Sequence, residues 1–519
     1  MLSFATTRWL VERWSQSRLA GTALLVLVLL LLIPPHGILT ANEENYFALA
    51  ARFVDGSAWP QTTAVFDASR HRMLSDATLG LFVSMSGYPA AQIVTRLLVV
   101  VGFALTLPPL FAVFALSALD AALAVMSMWL IGQDIIGGEW LFSGYEAKVV
   151  AYVLVLIALR LVLLGRRPGM ATLLFALATY FHFLVGGFWF VAALALQLLD
   201  RPREWRRLAT TFALYALLVA PLSGAIAWMR LIDNSAALAT DVPTPDVIYS
   251  IIREPHHQSP FMSWAYFRDN WLPGYATAVP MLLAAIWCAR SGRERRLRIT
   301  AAWLAGLLAY LFFVLLPKYL DRDTGILGKL YLFRPSSLIE LLWLMLALAF
   351  ALQLAGRHAR ALRTVLLAAL APGFFYFQAR HVAHEVIVAA SSETWKSAVT
   401  SAVMRQTAPG DVVLVDPDHE WQWLDFERRS GRPIWVTWKF APTNDAELIT
   451  WYRRIEQRRK VFEHGCEAAA GIPPPVFLLT TPATAARLAA TCGPIVSDVD
   501  GWVLLRAEQA GAPTTPPPH

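Results

Sequence analysis

The 519-residue chain is 57% hydrophobic with a mean hydropathy of +0.49, which excludes an ordinary soluble globular protein. Its 44 lysines and arginines outnumber 37 acids, giving a net charge of +7 and a pI of about 9.4. The arginines cluster in short links between apolar segments, the positive-inside pattern, so the charge points to a membrane and not to nucleic acid.

Apolar stretches near the length that crosses a hydrocarbon core of ~30 Å recur from residue 21 to about 377. Lipid offers no partner to backbone polar groups, so such spans must be helical. The first, 21–33, follows Arg8, Arg13 and Arg18 and runs directly into Pro34, Pro35 and His36. With no small-residue cleavage site there, it reads as a retained span with a cytoplasmic N-terminus; a cleaved signal peptide is the alternative.

Further spans are expected at about 91–106, 110–131, 149–165, 208–230, 273–290, 299–316, 336–355 and 361–377, with 77–88 dipping into the membrane without crossing. The 30 residues from Met170 to Leu199 have a basic cluster at each end. They predict a hairpin of two short helices, turning near Phe181 and His182 or at Gly186 and Gly187. The fold expected is a polytopic α-helical membrane protein of about eleven transmembrane helices. Segments 34–90, 132–148, 231–272, 317–335 and everything beyond about 378 then lie outside, and nearly all the notable polar residues share that side.

Beyond Thr394 the composition shifts to alternating strands and helices: strands at 411–416, 433–438, 476–480 and 501–505, helices near 420–429, 445–460 and 482–491. The expected domains are therefore a membrane domain at 1–377, a linker at 378–394, a small exterior α/β domain at 395–508, and a disordered Pro-rich tail at 509–519. Cys466 and Cys492 both fall in the exterior domain, where free thiols and a disulfide are both open; Cys288 lies at a cytoplasmic helix end.

Glu43 and Glu44 follow the first span closely. A carboxylate there can take a proton from an attacking hydroxyl, or hold a divalent cation against phosphate charge. It can equally be a helix N-terminus, with Thr40 or Asn42 as cap and acids in the first turn. Arg253, Glu254, Pro255, His256 and His257 form a second group suited to a phosphate or polyol. Arg322, Lys329 and Arg334 lie in the next outer loop, at headgroup level. Glu139, Glu146 and Lys148 flank the start of a span, and His182 sits at the hairpin turn. Each of these also has a structural reading as a solvated loop, a lipid anchor or a packed side chain. Trp421, Trp423, Trp435, Trp438 and Trp451 suit either a sugar-stacking surface or a core. No nucleophile elbow, P-loop, dinucleotide fingerprint or zinc-protease motif occurs in a confirming context.

The acids in the first exterior loop, the odd number of spans and the exterior soluble domain together resemble a GT-C-type glycosyltransferase. Glu146, Ala147 and Lys148, the segment from His182 to Gly186, the Arg253–His257 group, and Trp451, Tyr452, Arg453 and Arg454 are similar to a family of uncharacterised bacterial polytopic proteins thought to be GT-C-like. The resemblance implies a bacterial inner-membrane enzyme that moves a sugar from a polyprenyl-phosphate donor to a glycan or lipid acceptor on the exterior leaflet. It implies Glu43 or Glu44 as general base or metal-holding carboxylate, although the pair is Glu-Glu where the family usually has Asp-Glu. It makes Arg253, His256, His257, Arg322, Lys329 and Arg334 the groups that neutralise the carrier phosphate, and it leaves metal dependence open. The rival readings are a flippase of lipid-linked saccharides and a non-catalytic envelope-assembly protein that binds a partner through its exterior domain.

Overall fold

The structure, a computed structural model, describes residues 20–21, 23–33, 40–55, 72–142, 144–228 and 241–507. The arginines before the first span, the residues that follow it at 34–39, and the tail at 509–519 lie outside the described residues. The protein is a polytopic helical membrane protein. Among the described residues, six helical stretches are long and apolar enough to cross a membrane: Met73–Phe114, Phe183–Asp200, Trp205–Trp228, Leu272–Ser291, Arg295–Leu320 and Ser336–Gln406. Large apolar side chains face outward on them, such as Leu97 and Leu98 at 45% and 56% exposure, as a lipid environment requires.

In chain order the principal helices are α1 (Ala23–Leu32), α2 (Ala41–Val54), α3 (Met73–Phe111), α4 (Ala118–Ile131), α5 (Ala147–Leu163), α6 (Pro168–Phe181), α7 (Phe183–Asp200), α8 (Trp205–Trp228), α9 (Leu272–Ser291), α10 (Arg295–Phe313), α11 (Ser336–Ala355) and α12 (Ala359–Gln406). The stretch expected to dip at 77–88 and the span expected at 91–106 are one helix, α3. It bends at Gly87, whose φ of 73° only glycine adopts without strain.

The single span expected at 110–131 is broken. After Pro108 and Pro109 the chain tightens over Ala112–Phe114 and turns through Ala115 at φ 56°. It then restarts at Ser117, whose hydroxyl accepts from the Asp120 backbone while Asp120 accepts from the Ser117 N–H. This is a capping box, a local signal stronger than the run of hydrophobicity around it.

Helices α6 and α7 are antiparallel about His182, which is extended at φ −153°. Phe175 and Phe190, fifteen positions apart, meet at 5.9 Å between ring centroids. A continuous helix would separate them by about 22 Å. Helix α12 has 48 residues, so at 1.5 Å per residue it is about 72 Å long and outruns any bilayer core. The segment read as a linker at 378–394 is therefore the middle of a helix that leads into the C-terminal α/β domain.

That domain holds β1 (Val412–Val415), β2 (Val476–Thr480), β3 (Ile495–Val499) and β4 (Trp502–Ala507), with α13 (Asp445–His464) and α14 (Pro482–Cys492). The sheet order is β1-β2-β4-β3; β1 and β2 are parallel, and the other pairs are antiparallel. Val412 and Leu414 pack into one core layer and Val413 and Val415 into another, the period-2 alternation of a strand buried on both faces. The strand expected at 433–438 reduces to a single bridge between Val413 and Ile434. Cys466 and Cys492 are joined by a disulfide, which settles the pairing left open by the sequence. Trp423 and Trp451 are core residues at 1% and 0% exposure, whereas Trp421 is 59% exposed.

Candidate active site

Helix α2 starts because Thr40, Ala41, Asn42 and Glu43 form a capping box. Thr40 Oγ1 accepts from the Glu43 N–H at 3.2 Å, and Glu43 Oε2 accepts from the Thr40 N–H at 2.9 Å. The helix then splits its polar residues three ways. Glu43, fully buried, accepts from Arg96 Nε and Nη2 at 2.8 and 2.5 Å and from the Tyr145 N–H at 2.8 Å. Glu44 accepts from Arg428 of the C-terminal α/β domain at 2.7 and 3.2 Å. Burial raises the Glu44 carboxyl, and Arg428 offsets this only in part. Asn42 points elsewhere and donates to Glu146 Oε1 at 2.7 Å.

Asn42 leads into the principal polar cluster of the molecule. Glu139 is its centre, accepting from Lys148 Nζ at 2.6 Å and from Arg334 Nε at 2.9 Å. Burial alone would raise that carboxyl, but Arg334 and then Lys148 hold it well below the usual range. Lys148 also reaches Glu146 at 3.4 Å and lies 4.2 Å over the Trp140 ring. Arg334 Nη1 contacts His182 Nε2 at 2.8 Å; a guanidinium has only donors, so Nε2 is the accepting nitrogen.

The turn that carries Arg334 is fixed by two tyrosines, since Tyr152 donates to the Arg334 carbonyl and Tyr310 to the Leu332 carbonyl, each at 3.1 Å. Tyr331, at φ 45°, stacks on the Arg334 guanidinium at 3.8 Å, hydrogen-bonds Tyr249 at 2.7 Å and donates to Glu254. Burial would raise Glu254, but the Arg253 and His257 charges hold it below its ordinary value. His257 Nδ1 contacts the Gly137 carbonyl at 2.5 Å. Partial burial, followed by the neighbouring His257 charge, pushes His256 down to about 4.

Against this polar wall lies an apolar cavity of about 280 Å³ between α7, α10 and the 330–335 turn. Leu184, Phe188, Trp189 and Leu332 line it, with Tyr310, Tyr331 and Arg334 on its rim and walls. Arg334 thus belongs to both the ionic cluster and the apolar cavity.

A family model described as a domain of unknown function, DUF6798, matches residues 394–457, the end of α12 through most of α13. No curated protein matches the chain. Among solved structures, the chain is similar to the crystal structure of ArnT from Cupriavidus metallidurans in the apo state. The identity is 13%, coverage is 97% of this chain and 98% of that one, and the TM-score is 0.43. The site is accordingly read from its own geometry.

Of the residues singled out from the sequence, Glu139, Glu146, Lys148, His182, Arg253, His257 and Arg334 come together, with His256 at the edge. Arg322 stands apart, stacked on Tyr319 at 4.5 Å and paired with its neighbour Asp323. Lys329 bridges to the exterior domain through Asp445 and to Asp246 at 3.3 Å. Glu43 and Glu44 brace the cluster from behind. Each of the carboxylates Glu43, Glu44, Glu139 and Glu146 already faces an arginine or lysine. No group of three or more metal-ligating side chains converges among the described residues.

Sequence reasoning missed Tyr331, Arg96 and Lys439. The Lys439 carbonyl accepts from Arg253 Nη2 at 3.0 Å, and its ammonium interacts with Glu254 and Glu146 from the exterior domain. Burial lowers Lys439 first and the Arg253 charge lowers it further. Nothing local marks a lone lysine some 290 residues downstream of Glu146 as a partner. Tyr331 carried the one available signal, its place three residues before Arg334.

Proposed function

We propose that this chain is a membrane glycosyltransferase that takes a sugar from a phosphate-linked lipid carrier and delivers it to an envelope acceptor on the exterior leaflet. The observation that carries the reading is Arg334, which is shared between the ionic cluster and the apolar cavity. A lipid-linked phosphate needs that pairing: a dry slot for the first isoprenoid or acyl carbons and fixed donors for the anion at its head. Lys148, bound to the same Glu139, and beyond it Lys439 and Arg253 add positive charge to the cluster, and they suit the stabilisation of a phosphate as it departs.

The acceptor hydroxyl attacks the anomeric carbon, the sugar–phosphate bond breaks, the phosphate stays on the carrier, and the hydroxyl proton passes to a carboxylate. Glu146 is our candidate for that base. Among the described residues it accepts from the Asn42 amide at 2.7 Å, lies 3.4 Å from Lys148 and feels the Lys439 charge, whereas Glu139, Glu43 and Glu44 are each held by arginine. We assign Glu43 and Glu44 a positioning role in place of the catalytic one expected from the sequence.

The test is complementation of a strain lacking the protein, with lipid-linked sugars and surface glycans profiled at matched membrane expression. Glu146→Gln and Arg334→Met should each lose at least tenfold in transferred glycan while a lipid-linked sugar accumulates. Wild-type glycan levels from both variants would overturn the reading.

A further inference from the structure

The exterior domain carries a second concave surface that the transferase reading does not use. An open groove of about 470 Å³ lies where the last part of α12 meets the β3–β4 turn, lined by Ser391, Thr394, Trp395, Gln422, Asp500 and Trp502. The Trp395 and Trp502 rings are nearly parallel, 12° apart in plane and 6.0 Å between centroids. Trp423, buried beneath, meets both edge-on at 5.2 and 5.0 Å, so their orientation is fixed by the core. Asp500 sits at φ 51° in a two-residue turn with Gly501, which holds its carboxylate on a rigid loop. Gln422 is exposed beside it, next to the exposed Trp421.

This combination has a specific chemistry. Trp395, half-buried with the 7%-exposed Trp502 packed against it, presents an aromatic face that can take the C–H face of a pyranose, while two hydroxyls, a carboxamide and a carboxylate take its hydroxyl groups. Among the described residues, no lysine or arginine lines the groove. Lys396, 5.7 Å from the Trp395 ring centroid, is committed to Asp425 at 2.9 Å. An anionic saccharide would meet Asp500, the charged side chain among the described lining residues. We propose that this groove binds a neutral glycan, a ligand class distinct from the phosphate that the cationic cluster suits.

The experiment uses the full-length protein in lipid nanodiscs free of glycoside detergent. Saturation-transfer NMR and calorimetry would follow maltotriose, cellotriose and chitotriose, with trigalacturonate as the anionic control. At least one neutral trisaccharide should bind saturably and trigalacturonate should not. Gln422→Ala and Asp500→Asn, both at exposed positions, should weaken binding about tenfold, the order of one lost hydrogen bond, with the melting temperature unchanged. Trp395→Ala should abolish it. Failure of all three neutral probes, equal binding of trigalacturonate, or wild-type affinity in the Gln422 and Asp500 variants would overturn the proposal. These assays read binding and not transfer, so their outcome is independent of the transferase reading.

Discussion

Glu43 shows how a residue can be conspicuous for a structural reason. The hydrogen bonds its carboxylate accepts cap α2, hold Arg96 and fix the Tyr145 backbone, and a Cβ on Gly144 would overlap its carboxylate. Removing one member of such a buried pair strands the other charge, so Glu43→Ala should cost about 3–5 kcal/mol. Gly144→Ala should destabilise in the same direction. Glu146→Gln, by contrast, should leave the melting temperature near wild type while activity falls. Thermal unfolding of the three variants in one detergent checks the contrast, and a Glu43→Ala protein as stable as wild type would remove the brace. His256 gives a pH prediction. Unfolded histidine titrates near 6.5, while in the fold it is pushed down to about 4. The unfolded state therefore takes up the proton first, and this contribution to stability is complete above about pH 6.5 and lost as pH falls towards 4. Between pH 7 and 5 the wild type should lose more thermal stability than His256→Asn.

At the scale of elements, hydropathy located most helices but misjudged their ends, because ends are set by caps and turns. The break between α3 and α4 was legible in Ser117 and Asp120, a capping-box pair three residues apart inside an apolar run. Asp120 also takes Arg363 Nε and Nη2 at 2.7 and 2.9 Å, tying α4 to the start of α12. Ser117→Ala should therefore cost about 1 kcal/mol, measurable as a lower melting temperature. Strand β3 was not among the strands expected from the sequence, although Asp500 and Gly501 form the Asp-Gly pair that a two-residue hairpin prefers, both at positive φ. The strand expected at 433–438 failed for the opposite reason. Its alternating apolar residues follow Pro433, and Trp438 and Lys439 donate their backbone N–H groups to Glu420 instead of to a neighbouring strand.

At the scale of the whole molecule, the C-terminal α/β domain is clamped to the membrane domain rather than tethered to it. Arg428 pairs with Glu44, Lys329 with Asp445 and Arg453 with Asp241. Ile248, Tyr249 and Tyr331 share an apolar cluster with Val436, Leu448 and Trp451. This docking brings Lys439 to the ionic cluster. Lys439→Met should reduce glycan transfer about tenfold or more, with expression and melting temperature unchanged; full activity would exclude a role for the domain in the site. Replacing Cys466 and Cys492 together by serine should destabilise the exterior domain by about 3 kcal/mol, read by proteolysis of the full-length protein.

The sequence by itself determined the membrane class and the presence of an α/β domain. Hydropathy, charge placement and periodicity are local, and each is written in consecutive residues. It also named most of the side chains that form the ionic cluster, because ionisable groups near membrane depth are costly and conspicuous. Only the tertiary structure decided how they divide. Glu43 and Glu44 sit one position apart on a helix and so face different partners about 100° around its axis. Arg334 meets Glu139 across 195 positions, and Lys439 arrives from another domain. Such pairings depend on how helices and domains pack, which no short stretch of sequence encodes.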